Sequence, residues 1–118
     1  MSLNALERQT FPAGTSIIKL GDKAHAAYVV DSGKVEIWIE RDGGKRVLSE
    51  VTTGGIFGEM ALIDSEPRSA TVTAITDVEL VPVSEKQFLF LVSQTPYFAL
   101  KVMRVLAQRL RVTNKTFG

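Results

Sequence analysis

The chain has 118 residues, 45% hydrophobic and 23% charged, which suits one compact domain (residues 1–118) with a modest core and leaves no room for a second folding unit. A formal charge of +1 gives no global attraction to nucleic acid or an acidic membrane, and the absence of cysteine removes disulfides, iron–sulfur clusters and thiol chemistry. His25 is the single histidine, so a metal site built from clustered imidazoles is excluded as well.

No apolar run reaches membrane-spanning length, and the first residues lack the basic-then-apolar order of a signal peptide, so no membrane span and a cytoplasmic location are expected. From about residue 10 to 83, turn signals recur every several residues with β-rich runs between them. Residues 16–20 form the first clear run, and His25 falls in the polar loop beyond it. Val35, Ile37 and Ile39 then alternate with Glu36, Trp38 and Glu40, the period of a strand with one buried face. Trp38 sits among the glutamates and reads as a surface or rim-packing residue. Asp42-Gly43-Gly44 turns the chain, residues 45–51 return as the hairpin partner, and 70–74 and 78–83 supply further strands. These elements predict a mainly β fold, a jelly roll or double-stranded β-helix, with flanking C-terminal helices.

The periodicity changes at Ser84. Ser84-Glu85-Lys86-Gln87 has capping-box spacing, and Phe88, Leu89, Leu91 and Val92 follow as an apolar helical face. Thr95-Pro96 opens a second helix, expected to run to about 113–114, because proline at the first helical position gives up no needed N–H. Ala99, Val102, Met103, Leu106, Leu110 and Thr113 form its apolar stripe, opposite Lys101, Arg104, Gln108, Arg111 and Lys115. The basic stripe lacks interleaved aromatics and reads as a solvated face, with no direct nucleic-acid contact. Phe98, Val105 and Val112 make a second apolar line, explained equally by core packing and by a homodimer through this helix.

The most informative stretch is residues 57–74, FGEMALIDSEPRSATVTA. Gly54, Gly55 and Gly58 allow backbone conformations and close approaches that a Cβ forbids, and Glu59-Met60-Ala61-Leu62-Ile63 can make one or two helical turns. Amides at the start of that turn favour an anion. Arg68, set by Pro67 and followed by Ser69, adds a planar fork suited to phosphate oxygens. Glu59 beside an anion site is repulsive unless it accepts hydrogen bonds from the same ligand, as it would from a ribose hydroxyl. The alternative reading of Glu59 and Arg68 is a solvated ion pair on a surface turn.

Phosphate plus sugar hydroxyl describes a nucleotide, and the stretch resembles the phosphate-binding cassette of the cyclic nucleotide-binding domain family, the sensor type of catabolite activators and protein kinase A regulatory subunits. The resemblance lies in Phe-Gly-Glu, an aliphatic pair and Pro-Arg-Ser-Ala-Thr-Val, and extends to Phe11-Pro12-Ala13-Gly14, Gly21-Asp22, Tyr28-Val29-Val30 and Ser32-Gly33-Lys34-Val35. It implies that Glu59 takes the ribose 2′-hydroxyl, Arg68 the cyclic phosphate, and the amides around Gly58, Met60, Ala61 and Ser69 complete the cradle. In the catabolite-activator branch a Thr-Ser pair in the last helix meets the adenine amino group; this chain has Thr113 and Asn114 there, which keeps cyclic AMP favoured and leaves cyclic GMP open. The implied protein is a regulatory sensor without catalysis, cofactor or metal, whose C-terminal helix moves on binding and whose effector domain, if any, lies outside this chain. A jelly roll that serves interaction without binding ligand is the alternative.

Overall fold

The structure is a computed structural model that describes residues 7–117, with side chains described for residues 7–109. Eight strands precede the long helices: β1 (Gln9–Phe11), β2 (Ser16–Ile18), β3 (Ala26–Ser32), β4 (Lys34–Arg41), β5 (Gly44–Thr52), β6 (Ile56–Phe57), β7 (Thr71–Ala74) and β8 (Val78–Ser84). A short helix α1 (Met60–Asp64) lies between β6 and β7, and α2 (Glu85–Gln94) and α3 (Pro96–Phe117) close the chain. The strands form two four-stranded sheets, ordered β1-β8-β3-β6 and β2-β7-β4-β5. Every pairing is antiparallel. This is the expected mainly β jelly roll with C-terminal helices.

Alternation along each strand builds the core. Val35 and Ile37 of β4, Val72 and Ala74 of β7, Val51 of β5 and Ile18 of β2 come from one sheet; Val30, Phe57, Val78 and Leu80 come from the other, and together they form one buried cluster. Ile39 is only half-buried, against the simple alternation. The cause is a register shift between Ile37, opposite Ser49, and Trp38, opposite Val47, which leaves Leu48 as an extra residue on β5. β2 stops at Ile18, two residues short of expectation, because the Leu20 amide bonds the Thr71 hydroxyl at 3.1 Å instead of continuing the ladder.

The chain forms two compact units, Met1–Glu85 and Lys86–Gly118. Within the second, Phe88 and Val102 are buried, and the Phe88 and Phe98 rings meet edge to face with centroids 5.8 Å apart. Leu89 and Met103, expected on the apolar faces, are 59% exposed each. The helical angle accounts for this: the covered line takes in Phe88, Leu91 and Val92 on α2 and Phe98, Val102 and Val105 on α3, one step round from Leu89 and from Met103. The Thr95 carbonyl accepts the first helical bonds, from Phe98 at 3.0 Å and Ala99 at 3.2 Å, so the chain turns into α3 at the Thr95-Pro96 step as expected. Among the described residues no helix is long and apolar enough to cross a membrane.

Candidate functional site

Two charged side chains are buried among the described residues, Glu59 at 0% exposure and Arg68 at 7%. That does not fit a solvated surface pair, since burying a charge is costly unless hydrogen bonds and opposite charge offset it. The local sequence explains how Glu59 gets inside. Phe57 is fully buried and stacks on Tyr28, its partner across β3, with centroids 5.4 Å apart. Gly58 then takes φ +80°, a conformation disfavoured for residues with a Cβ, and turns the chain at once into helix. Glu59 precedes α1 in helical conformation, its carbonyl accepting from the amides of Leu62 and Ile63 at 3.1 Å each. Its Oε2 is a buried atom that accepts no hydrogen bond from a described residue.

α1 ends after barely more than a turn. Ser65 adopts the left-handed conformation at φ 60° while its amide closes on the Ala61 carbonyl at 3.1 Å, and the Glu66 amide bonds the Asp64 carboxylate at 3.0 Å. Pro67 then leads into Arg68, whose guanidinium points inward. Nη1 donates to the Gly58 carbonyl at 2.7 Å and Nη2 donates to the Ala26 carbonyl. Burial pushes the Arg68 guanidinium below its ordinary range, while Tyr28, Asp22 and Glu59 pull it up. A Cβ on Gly58 would stand 2.9 Å from Arg68 Nη1 and 3.0 Å from Ile18 Cδ1, so the glycine supplies the space the guanidinium occupies as well as the turn.

The structure thus brings Gly58, Glu59 and Arg68 together. Ala61 is buried on α1, whereas the side chains of Met60 and Ser69 are exposed, so any part they take in an anion cradle falls to their amides. Gly54 has the expected positive φ, at +86°; Gly55 does not, and its role is close approach, a Cβ there meeting Val51 Cγ1 at 2.5 Å. The side chains of Thr113 and Asn114 lie outside the described residues. A cavity of about 460 Å³ borders the cassette and is lined by Ala61, Leu62, Ser65, Glu66 and Pro67 with Gly21, Lys23, Ala24 and Glu85, but not by Glu59 or Arg68. His25 is exposed, and no group of His, Asp and Glu able to hold a metal occurs among the described residues.

Sequence reasoning missed what fastens Arg68. Ala26 holds its side chain, and Tyr28 bears on its charge. The Gly21-Asp22 dipeptide signals a turn, but its attachment to Arg68 is a tertiary pairing that no local pattern reveals.

A family model described as "Cyclic nucleotide-binding domain" matches residues 8–95. The chain belongs to the cyclic nucleotide-binding domain family. It is 37% identical to the cyclic AMP receptor protein of Thermus thermophilus over 94% of its own length and 52% of that protein. It is 48% identical to the cAMP-dependent protein kinase regulatory subunit of Dictyostelium discoideum over 64% of this chain and 24% of that one. The crystal structure of the Thermus thermophilus catabolite activator protein superposes with a TM-score of 0.84 at 35% identity, covering 98% of this chain and 55% of that chain. The chain therefore spans about half the length of the bacterial relative it matches and about a quarter of the kinase subunit.

Proposed function

We propose that this cyclic nucleotide-binding domain is a regulatory sensor that takes cyclic AMP in preference to cyclic GMP. The observation that carries the reading is the buried Arg68 guanidinium set beside the buried Glu59 carboxylate at a glycine-opened helical turn. Arg68 holds the cyclic phosphate by charge-assisted hydrogen bonds, Glu59 accepts from the ribose 2′-hydroxyl, and the amides around Gly58, Met60, Ala61 and Ser69 complete the cradle. Thr113 and Asn114, a hydroxyl and an amide, meet the adenine amino group. If the C-terminal helix engages the base in one of two arrangements, ligand shifts the population by its difference in affinity for them. The domain performs no catalysis and signals to an effector outside residues 1–118 or to a second copy of itself, paired through α3. The relatives named above, a cyclic AMP receptor and a cAMP-dependent kinase subunit, support this choice of ligand.

One observation favours the other reading, a jelly roll that keeps the pattern without binding. Arg68 already bonds two main-chain carbonyls and is not short of partners. Calorimetric titration of nucleotide-free protein with cyclic AMP and cyclic GMP separates the two. Saturable binding near 1:1, tighter for cyclic AMP, is expected, and Arg68→Ala is expected to weaken it about a hundredfold, roughly 2 to 3 kcal/mol for a lost charged fork. No binding of either nucleotide would leave the interaction module standing.

A further inference from the structure

Arg68 is held at three points by residues 21–26, two in the turn after β2 and one at the start of β3. The Gly21 amide donates to the Arg68 carbonyl at 2.8 Å, the Arg68 amide donates to the Asp22 carbonyl at 2.8 Å, and Nη2 donates to the Ala26 carbonyl. The first two bonds tie the carbonyl and the amide of Arg68 to two adjacent residues of the turn, and they fix the arginine Cα against it. The third fixes the far end of its side chain. A charged fork forms two parallel bonds to a ligand only if both its root and its tip are placed, and the turn at Gly21-Asp22 places the root while the Ala26 carbonyl of β3 places the tip.

The turn depends on Gly21, which has φ +87°. That left-handed φ sets where the Asp22 carbonyl stands relative to the Gly21 amide, the two groups that grip the Arg68 main chain, and it costs a residue with a Cβ strain energy. Yet a Cβ built there meets nothing within 4 Å. Substitution therefore changes the backbone preference alone, with no clash to confuse the result. We propose that Gly21 is a positioning residue for the phosphate-holding arginine, acting through the Gly21–Arg68–Asp22 main-chain bridge. The inference rests on the assignment of Arg68 to the phosphate.

The molecule contains its own control. Gly14 has φ +90°, likewise has open space where a Cβ would go, and makes the same kind of turn bond, to the Ala74 carbonyl at 2.7 Å, with no bond to Arg68. Gly14→Ala and Gly21→Ala impose the same strain in two turns, one attached to Arg68 and one not.

Titration with cyclic AMP is expected to show Gly21→Ala roughly tenfold weaker than wild type, Gly14→Ala unchanged, and Gly21→Asn between the two, since asparagine tolerates left-handed φ better than alanine. In an Arg68→Ala background, Gly21→Ala is expected to make no further difference, because its effect passes through the missing group. Wild-type affinity in Gly21→Ala, equal losses at Gly14 and Gly21, or a loss that adds fully to that of Arg68→Ala would each overturn the positioning role. Should Gly21→Ala fail to fold, Gly21→Asn carries the comparison under the same criteria. Wild-type affinity in Arg68→Ala itself would remove the phosphate assignment, and this inference with it, whereas a loss there beside no loss in Gly21→Ala would remove this inference alone.

Discussion

A guanidinium that is 7% exposed must find its partners inside the protein, and Arg68 finds them in the Gly58 and Ala26 carbonyls. Removing it leaves those acceptors to water or to nothing, so the loss of affinity proposed for Arg68→Ala is expected to come with a loss of stability. Gly58→Ala separates the two effects differently. Its Cβ would stand 2.9 Å from Nη1, and its φ of +80° is strained for alanine. The expected outcome is a stability loss of about 1–2 kcal/mol from backbone strain, read by urea denaturation, together with affinity for cyclic AMP lowered roughly tenfold as the guanidinium is pushed aside. Unchanged affinity with lowered stability would mean that Arg68 does not touch the ligand. Burial lowers the Arg68 pKa, but an arginine stays protonated in both folded and unfolded chains near neutral pH. Neither state then takes up or releases a proton there, so this buried charge adds no slope to stability between about pH 6 and 8. At this scale the sequence was legible where chemistry is contiguous: Gly58, Glu59 and Arg68 fall in one short pattern. The Ala26 carbonyl, 42 residues from Arg68, was not, because a main-chain acceptor carries no mark of its role in its side chain.

Among the elements, the β3–β4 turn is the most exacting. Gly33 has φ +95°, and a Cβ there would lie 2.4 Å from the Asp77 carbonyl oxygen, a backbone atom that cannot swing away. Strain and overlap add, so Gly33→Ala is expected to cost about 2–5 kcal/mol. Gly43→Ala, with φ +77° and open space around it, is expected to cost only the strain, about 1–2 kcal/mol. Equal urea midpoints for the two variants would show that the β3–β4 turn yields where the structure has it tight. The neighbouring hairpin resolves a different conflict. Glu36 and Glu50 stand directly opposite each other on β4 and β5, a repulsive pair, and each has a lysine: Lys45 on Glu36, and Lys34 on Glu50 at 3.1 Å. Lys45 also lies 5.2 Å over the Trp38 ring, whose Nε1 donates to the Thr73 hydroxyl at 2.9 Å, giving the tryptophan the rim role its glutamate neighbours suggested. Strand alternation was readable because it is local. The bulge at Leu48 and the rotation that exposes Leu89 and Met103 were not, since each depends on what packs across from the element and not on its own period.

On the scale of the whole molecule, the question is whether ligand held by one compact unit is felt by the other. The cassette lies wholly in Met1–Glu85, while Thr113 and Asn114 belong to Lys86–Gly118. Ligand that binds only the folded form stabilises what it touches, by about 2.7 kcal/mol at a concentration a hundred times Kd. Were the cassette alone involved, that gain would slow amide exchange in residues 54–72 and in the strands that pair with them, and leave α3 unchanged. A base engaged by Thr113 and Asn114 instead links the opening of α3 to release of the nucleotide, so its amides must also slow, by a factor that grows with ligand concentration. The sensor reading predicts the second pattern: hydrogen exchange with saturating cyclic AMP slows both the cassette and residues 96–113. It predicts further that Thr113→Ala with Asn114→Ala abolishes the α3 response while the cassette response survives at higher ligand concentration, because the phosphate and ribose contacts remain. Protection confined to the cassette in the wild-type chain would reduce the protein to a binding module whose last helix takes no part in the signal.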